Sequence, residues 1–118
     1  MPKDAAIHSL PAAPELGTAK VVLSTGRSVT MRELTGRAQI LADSCAGEGT
    51  IMALISYRAI GSLEMIDDHK LAPVSSKAEL DFIMERLTGR ELDEIVQAYS
   101  TNFAARVADQ KNESSTAA

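Results

Sequence analysis

The sequence predicts a single small α+β domain in which an N-terminal β-hairpin packs with about four α-helices, the last of them long. Three observations support this prediction. The chain has 118 residues, which is the size of one domain. An early segment alternates polar and apolar residues on either side of a glycine turn, as hairpins do. The later segments repeat apolar residues at intervals of three and four, which is typical of amphipathic helices.

The two ends of the chain are expected to lie outside this domain. Residues 1–18 hold three of the four prolines and show no sustained period, which predicts an extended arm. Residues 19–110 form the predicted domain. Residues 111–118 include the polar run NESSTAA and are predicted to form a flexible tail.

The N-terminal hairpin is predicted within residues 20–32. The β-branched run KVVL at 20–23 is followed by the glycine-bearing turn STGR at 24–27 and by the alternating run SVTMR at 28–32. Val29 and Met31 share one face of the second strand, and we expect that face to be buried.

A competing pattern overlaps the second strand. Thr30 and Glu33 have the spacing of a capping box, which would begin a helix at Met31. The strand is preferred because its alternation is already under way and because Thr35 offers another helix cap.

Two helices are predicted next. The first runs from Thr35 to about Ala46 and ends at the glycines that follow. Its helical spacing is carried by Ile40, Leu41, Ser44 and Cys45. The second begins at Thr50 with TIMALISYRAIG and is apolar over most of its surface, so we expect it to be the central, most buried helix.

Residues 62–73 are predicted to form either a second short hairpin or a loop, ended by Pro73. Ser75 or Ser76 then begins a third helix, since Glu79 stands three residues after the latter. The apolar residues of this helix are Leu80, Ile83, Met84 and Leu87.

The tetrapeptide LTGR occurs twice, at 34–37 and 87–90, and STGR at 24–27 is a near copy. At 87–90, Thr88 and Glu91 have capping-box spacing, while Leu87 and Leu92 have the spacing of a hydrophobic staple. At 34–37, Thr35 can cap in the same way. LTGR is therefore predicted to begin two helices. The flanking segments do not align, so we reject an internal repeat.

The last helix carries a continuous apolar stripe and is about five turns long. The stripe consists of Leu92, Ile95, Val96, Tyr99, Phe103 and Val107. Two interpretations remain open: the distal half of the helix docks on another protein, or it folds back on the core of its own domain.

Catalytic, metal and cofactor sites are not expected. Asp67, Asp68 and His69 place two carboxylates beside an imidazole, but adjacent turn residues point in different directions and no second His lies nearby. A solvated turn is the preferred interpretation. The single Cys45 forbids an intrachain disulfide and fits a reducing compartment.

Charge and hydropathy exclude several partners. Residues 1–59 carry a net charge of +1 and residues 60–118 a net charge of −5, giving −4 in all. The acidic half argues against a nucleic acid, because phosphate binding needs clustered cations. No segment has the length of a membrane span or the apolar region of a secretory signal. A small-molecule substrate is not expected either.

Two segments resemble the small tail assembly chaperones of bacteriophages and prophages. The first is VVLSTGRSVTMRELTGR, with the pattern V-x-x-R-E-L-T, and the second is SSKAELDFIMERLTGRELDEIVQAY. The second contains Asp81, Phe82, Ile83, Arg86 and Leu87 in the pattern D-F-I-x-x-R-L. The resemblance covers residues 20–108. It implies a protein without enzymatic activity that binds the tape-measure protein, self-associates, and works in the host bacterial cytoplasm.

Three alternatives to the chaperone stay open. A structural tail or baseplate component would remain in the virion tail, and its peptides would be found in purified particles. An adaptor or regulatory domain from outside the phage setting would bind a basic partner through its acidic half. An enzyme is the third alternative, which His69→Ala tests. Under the preferred interpretation, the predicted partner-binding residues are Val29, Met31, Tyr99, Phe103 and Val107.

Overall fold

The computed structural model describes residues 10, 11 and 15–104. Four strands and four helices follow one another, and the α+β class predicted from the sequence is confirmed. In chain order the elements are β1 (Thr18–Val22), β2 (Ser28–Arg32), α1 (Gly36–Ala46), α2 (Ile51–Gly61), β3 (Leu63–Ile66), β4 (His69–Lys70), α3 (Lys77–Met84) and α4 (Gly89–Tyr99), with a π-helical turn at Ser100–Ala104.

The strands form one antiparallel sheet in the order β1-β2-β3-β4. Val21 of β1 lies opposite Val29, which makes the first predicted hairpin. Met31 lies opposite Leu63 of β3, after a β-bulge between Thr30 and Met31. The bulge shifts the register by one residue. Residues 62–73, which the sequence predicted as either a short hairpin or a loop, contain the hairpin of β3 and β4.

One face of the sheet is buried and the other is exposed. Val29 and Met31 are buried as the alternation predicted, together with Leu63 and Ile66 of β3. On the opposite face Arg32 pairs with Glu64, with 3.2 Å between Nη2 and Oε1. The helices therefore supply the other layer of the core from one side of the sheet.

Threonine and serine caps begin the helices where the sequence placed them. The hydroxyl oxygens of Thr35 and Thr50 each accept a backbone N–H three residues on, at 3.2 Å. Ser76 caps α3 through the N–H of Glu79. Ser75 is engaged as well, because its N–H donates to the Glu79 carboxylate at 2.9 Å. These bonds satisfy donors that have no partner within the helix.

An ion pair between α1 and α2 stabilises this helical hairpin. Arg58 donates from Nε and Nη2 to the two carboxylate oxygens of Asp43, at 2.6 and 2.8 Å. The guanidinium lowers the pKa of Asp43 through this hydrogen bond. A fork-shaped pair of this kind fixes orientation as well as distance.

The expectation that α2 is the most buried helix holds only for its last turns. Ala59 and Ile60 are buried, whereas Ile51 is 74% exposed and Met52 is 60% exposed. The physical reason is packing: residues 51–55 neither belong to the core cluster nor pack against it, whereas Tyr57, Ala59 and Ile60 do.

The long C-terminal helix begins at the predicted cap, Thr88, and changes character at Ser100. Residues 100–104 form a π-helical turn, which the sequence did not predict. Phe103 packs against Tyr99 with ring centroids 5.7 Å apart in an edge-on arrangement. Residues 105–118, including the predicted end of the helix and the tail, lie outside the described residues. At the other end, Thr18 already belongs to β1, one residue before the predicted domain boundary.

Candidate protein-interaction surface

The STGR turn at 24–27 and the start of α4 at the LTGR of 87–90 lie close together in the folded domain. The hydroxyl of Thr25 donates to Glu91 Oε2 at 2.7 Å, and Nη1 of Arg27 lies 3.2 Å from Glu91 Oε1. Glu91 also closes the capping box of α4: it accepts the N–H of Thr88 at 2.9 Å, and its own N–H donates to the Thr88 hydroxyl. One carboxylate therefore joins the first hairpin to the start of α4.

Glu91 is 1% exposed, so its charge must be satisfied within the protein. The N–H of Thr88 lowers its pKa most, and the Thr25 hydroxyl and Arg27 lower it further, against the opposing effect of burial. The same hairpin loop also holds Glu94, whose carboxylate accepts the N–H of Ser24 at 2.9 and 3.0 Å. These contacts stabilise the fold by joining the first hairpin to α4.

The acidic turn at 67–69 is built as a structural turn. Asp67 has a φ of +52°, in the left-handed region that Asp tolerates better than most residues. Its carboxylate accepts the N–H of Ser28 at 3.0 Å and lies 3.6 Å from Nε of Arg27. His69 is exposed on β4. Within residues 15–104 no three His, Cys, Asp or Glu side chains are grouped to hold a metal ion.

A pocket of about 400 Å³ opens between α1, the strand ends and the segment 71–74. Its lining is mainly aliphatic, with the Arg32–Glu64 ion pair and Lys70 beside it. The larger aliphatic lining residues are Leu16, Leu34, Leu41, Leu63, Leu71, Val74 and Leu80. Ser62 is there too, but its hydroxyl donates to the carbonyl of Ala59 at 2.6 Å. The lining includes no His, Cys or Asp.

Four of the five predicted partner-binding residues lie in the core of the domain. Val29 and Met31 are 1% and 0% exposed, and Tyr99 and Phe103 are 6% and 7% exposed. Side chains so deeply buried are not accessible to a partner in this structure. For Phe103, the interpretation in which the helix folds back on its own domain is therefore the one observed. The fifth residue, Val107, lies outside the described residues.

The start of α2 exposes two large apolar side chains that are adjacent in sequence. We define the tip surface as Glu48, Ile51 and Met52, at the turn between α1 and α2. All three are exposed. Leu54 and Ile55, one turn on, are only partly buried and do not pack against the core cluster. A helix that is apolar around its circumference is normally buried, so this half of α2 has the character of an interface.

A second exposed apolar group lies on α3. Phe82 is 55% exposed, and the guanidinium carbon of Arg86 lies 3.3 Å from the centroid of its ring. Arg86 is held there because its Nη1 donates to the carbonyl of Phe82 at 3.0 Å. We call this pair the aromatic stack. Aromatic and arginine side chains are enriched among the residues that carry binding energy at interfaces.

Comparisons of the chain with models of protein families, with curated proteins and with solved structures find no match. None of the helices in residues 15–104 combines the length and the apolar character that crossing a bilayer requires. The exposed surfaces of the domain therefore provide the basis for a functional proposal.

Sequence reasoning missed the tip surface and the aromatic stack, although both carried a signal. Residues 51–55 read IMALI, with no polar residue to mark a solvent face, and the glycines at 47 and 49 mark a turn at one end. That pattern identifies an apolar helix start, but a sequence does not show what covers it. For Phe82 the signal in the sequence is its place in the D-F-I-x-x-R-L pattern, which does not show whether the ring is exposed.

Proposed function

We propose that the protein acts by association with other proteins in bacteriophage tail assembly, as a tail assembly chaperone that binds the tape-measure protein and also binds itself. The observation that carries this proposal is the exposed apolar start of α2. Ile51 and Met52 are each more than half exposed and lie outside the core. Contiguous exposed apolar surface is a feature of protein-binding sites, and these two neighbouring side chains contribute to such a surface.

The phage setting comes from the resemblance of the two quoted segments and is part of the proposal. Two of the residues in the D-F-I-x-x-R-L segment, Ile83 and Leu87, lie in or against the core, while Phe82 and Arg86 are exposed. The segment thus divides into residues that hold the fold and residues that can contact a partner. No bond-making chemistry is part of the proposed function.

Co-expression tests the proposal. The protein is produced with a purification tag, together with the tape-measure protein of the same phage or prophage. We expect the tape-measure protein to be recovered with it in soluble form. Ile51→Asp combined with Met52→Asp should reduce that recovery, while Ile40→Asp, at another exposed isoleucine, should leave it unchanged. Recovery that is the same for all three proteins would contradict the role of the tip surface.

Purified phage particles separate the chaperone from the structural alternative. A chaperone acts during assembly and leaves, so its peptides should be absent from mature particles examined by mass spectrometry. A tail or baseplate component would be present in amounts comparable with other tail proteins. Either result keeps the mode of action, protein association, and decides between the two roles.

A further inference from the structure

We propose that the tip surface of one copy binds the aromatic stack of a second copy, so that the protein assembles head to tail. This pairing rests on the proposed mode of action by protein association and names the surfaces through which the copies meet. It is argued from what each surface offers and from where the two surfaces lie in the fold.

The tip surface offers apolar side chains beside a carboxylate. Ile51 and Met52 stand next to each other at the start of α2, and Glu48 lies three residues before Ile51 in the turn. Within residues 15–104 no cation lies within 4 Å of the Glu48 carboxylate. Its charge is therefore available to an incoming group.

The aromatic stack offers the complementary pair, a ring beside a cation. Arg86 makes no ion pair within 4 Å in the described part of the chain. One of its five N–H donors is used by the carbonyl of Phe82, and stacking on the ring holds the guanidinium in place. A guanidinium held in this way can donate hydrogen bonds to a carboxylate that approaches side-on. The arginine side chain loses little conformational freedom when it binds.

The two surfaces match in chemistry. A carboxylate at Glu48 can pair with the guanidinium of Arg86, while the thioether of Met52 can contact the ring of Phe82, a favourable sulfur–aromatic contact. Each of the two surfaces therefore contributes one charged and at least one apolar side chain to the contact. A contact of like surfaces would instead place Glu48 against Glu48 or Arg86 against Arg86, which is unfavourable.

The fold keeps the two surfaces apart within one copy. Helix α3 meets α2 at Tyr57, whose hydroxyl donates to Asp81 at 2.9 Å, and at Gly61, beside Leu80. Tyr57 is six residues from Ile51, which is about 9 Å along the helix axis. Each copy therefore carries one surface of each kind at separate places. Repeated in one direction from copy to copy, such a contact is heterologous and continues into rings or filaments, and a wild-type protein that stops at a dimer would contradict it.

Blocking one surface at a time tests the pairing. The tip-blocked variant carries Ile51→Asp and Met52→Asp, and the stack-blocked variant carries Phe82→Asp. Analytical ultracentrifugation of the full-length wild-type protein should show mass that grows with concentration beyond a dimer. Each blocked variant alone should stay monomeric, with self-association weakened about tenfold or more. An equimolar mixture should form a one-to-one dimer and stop there, because only one pair of intact surfaces remains.

Exchanging the charges gives a second test that leaves the apolar groups intact. Glu48→Arg and Arg86→Glu should each weaken self-association, and a mixture of the two variants should restore it, because every contact then pairs opposite charges again. Both side chains are exposed, so circular dichroism should show folded proteins. Ile40→Asp and Arg37→Glu are the matched controls on α1 and should assemble like the wild type.

Several results would overturn the pairing. The first is that the blocked variants assemble like the wild type. The second is that a mixture of the two blocked variants stays monomeric or grows beyond a dimer. The third is that mixing the Glu48→Arg and Arg86→Glu variants fails to restore assembly. A wild-type protein that is monomeric yet recovers the tape-measure protein would overturn the pairing and leave the proposed function standing. Head-to-tail assembly without recovery of the tape-measure protein would support the pairing and contradict the proposed function.

Discussion

The guanidinium of Arg27 lies 3.2 Å from the carboxylate of Glu91, although 64 residues separate the two in the chain. Through this pair the turn of the first hairpin is fixed to the first turn of α4. Arg27 also donates from Nη1 to the carbonyl of Arg86, so the turn contacts the junction of α3 and α4 as well. The pair connects the sheet to the helical layer at the edge of the core.

Removing the charge of Glu91 should destabilise the domain. In Glu91→Gln the negative charge beside Arg27 is lost and one of the two acceptor oxygens becomes an NH₂ group, which cannot accept a hydrogen bond. We expect a loss of about 1–3 kcal/mol in the free energy of unfolding, measured by urea denaturation. Asp93→Asn, at an exposed carboxylate two residues on, should change it by less than about 0.5 kcal/mol. Equal effects of the two substitutions would contradict the structural role of Glu91.

Stability should fall in acid, in part through Glu91. Its pKa is lowered in the folded protein, so the unfolded chain takes up a proton at higher pH than the folded one does. The stabilisation is complete above the ordinary value of 4.5 and is lost as pH falls through the folded pKa. Urea denaturation between pH 7 and pH 3 should show the difference between wild type and Glu91→Gln shrinking below about pH 4.5. A difference that stays constant would show that this carboxylate is not the cause.

The two phenylalanines should differ greatly in how much stability their truncation costs. Phe103 is 7% exposed and packs against Tyr99, so Phe103→Ala should cost about 3–5 kcal/mol, a large part of the stability of a small domain. Phe82 is 55% exposed, so Phe82→Ala should cost less than about 1 kcal/mol. Thermal denaturation followed by circular dichroism measures both. A folded and stable Phe103→Ala protein would restore the interpretation in which Phe103 binds a partner.

Two glycines should also respond in opposite ways to alanine. At Gly61 an added Cβ would meet Leu34, Leu80 and Ala42 at ordinary contact distances of 3.7 to 4.0 Å. Gly61→Ala should therefore stabilise the last turn of α2 by about 0.5–1 kcal/mol. At Gly49 the added Cβ would lie 2.8 Å from the carbonyl oxygen of Ala46, so Gly49→Ala should be destabilising. Melting temperatures of the two variants that shift in the same direction would contradict this packing.

Local signals predicted most of the fold. The caps at Thr35, Thr50 and Thr88 follow from interactions within three residues, which a sequence displays directly. The first hairpin follows from alternation and a glycine turn. The π-helical turn at residues 100–104 was missed because the apolar stripe continues through it with unchanged spacing.

Relationships between distant segments could not be predicted. Periodicity shows that Tyr99 and Phe103 share a face of the last helix, but it does not show whether the covering layer comes from the same chain. For the same reason the apolar start of α2 was expected to be buried, whereas Ile51 and Met52 are exposed. The Glu91 carboxylate was assigned only its capping role, because its contacts with Thr25 and Arg27 arise from packing of the sheet on α4.

The most direct measurement isolates tagged protein from host cells during tail assembly and quantifies the accompanying proteins by mass spectrometry. The wild type is compared with the double variant Ile51→Asp, Met52→Asp. We expect the wild type to bring down the tape-measure protein and untagged copies of itself, and the double variant, folded by circular dichroism, to lose both. Wild-type protein that brings down neither, or a double variant with the same partners in the same amounts, would contradict action through the exposed start of α2.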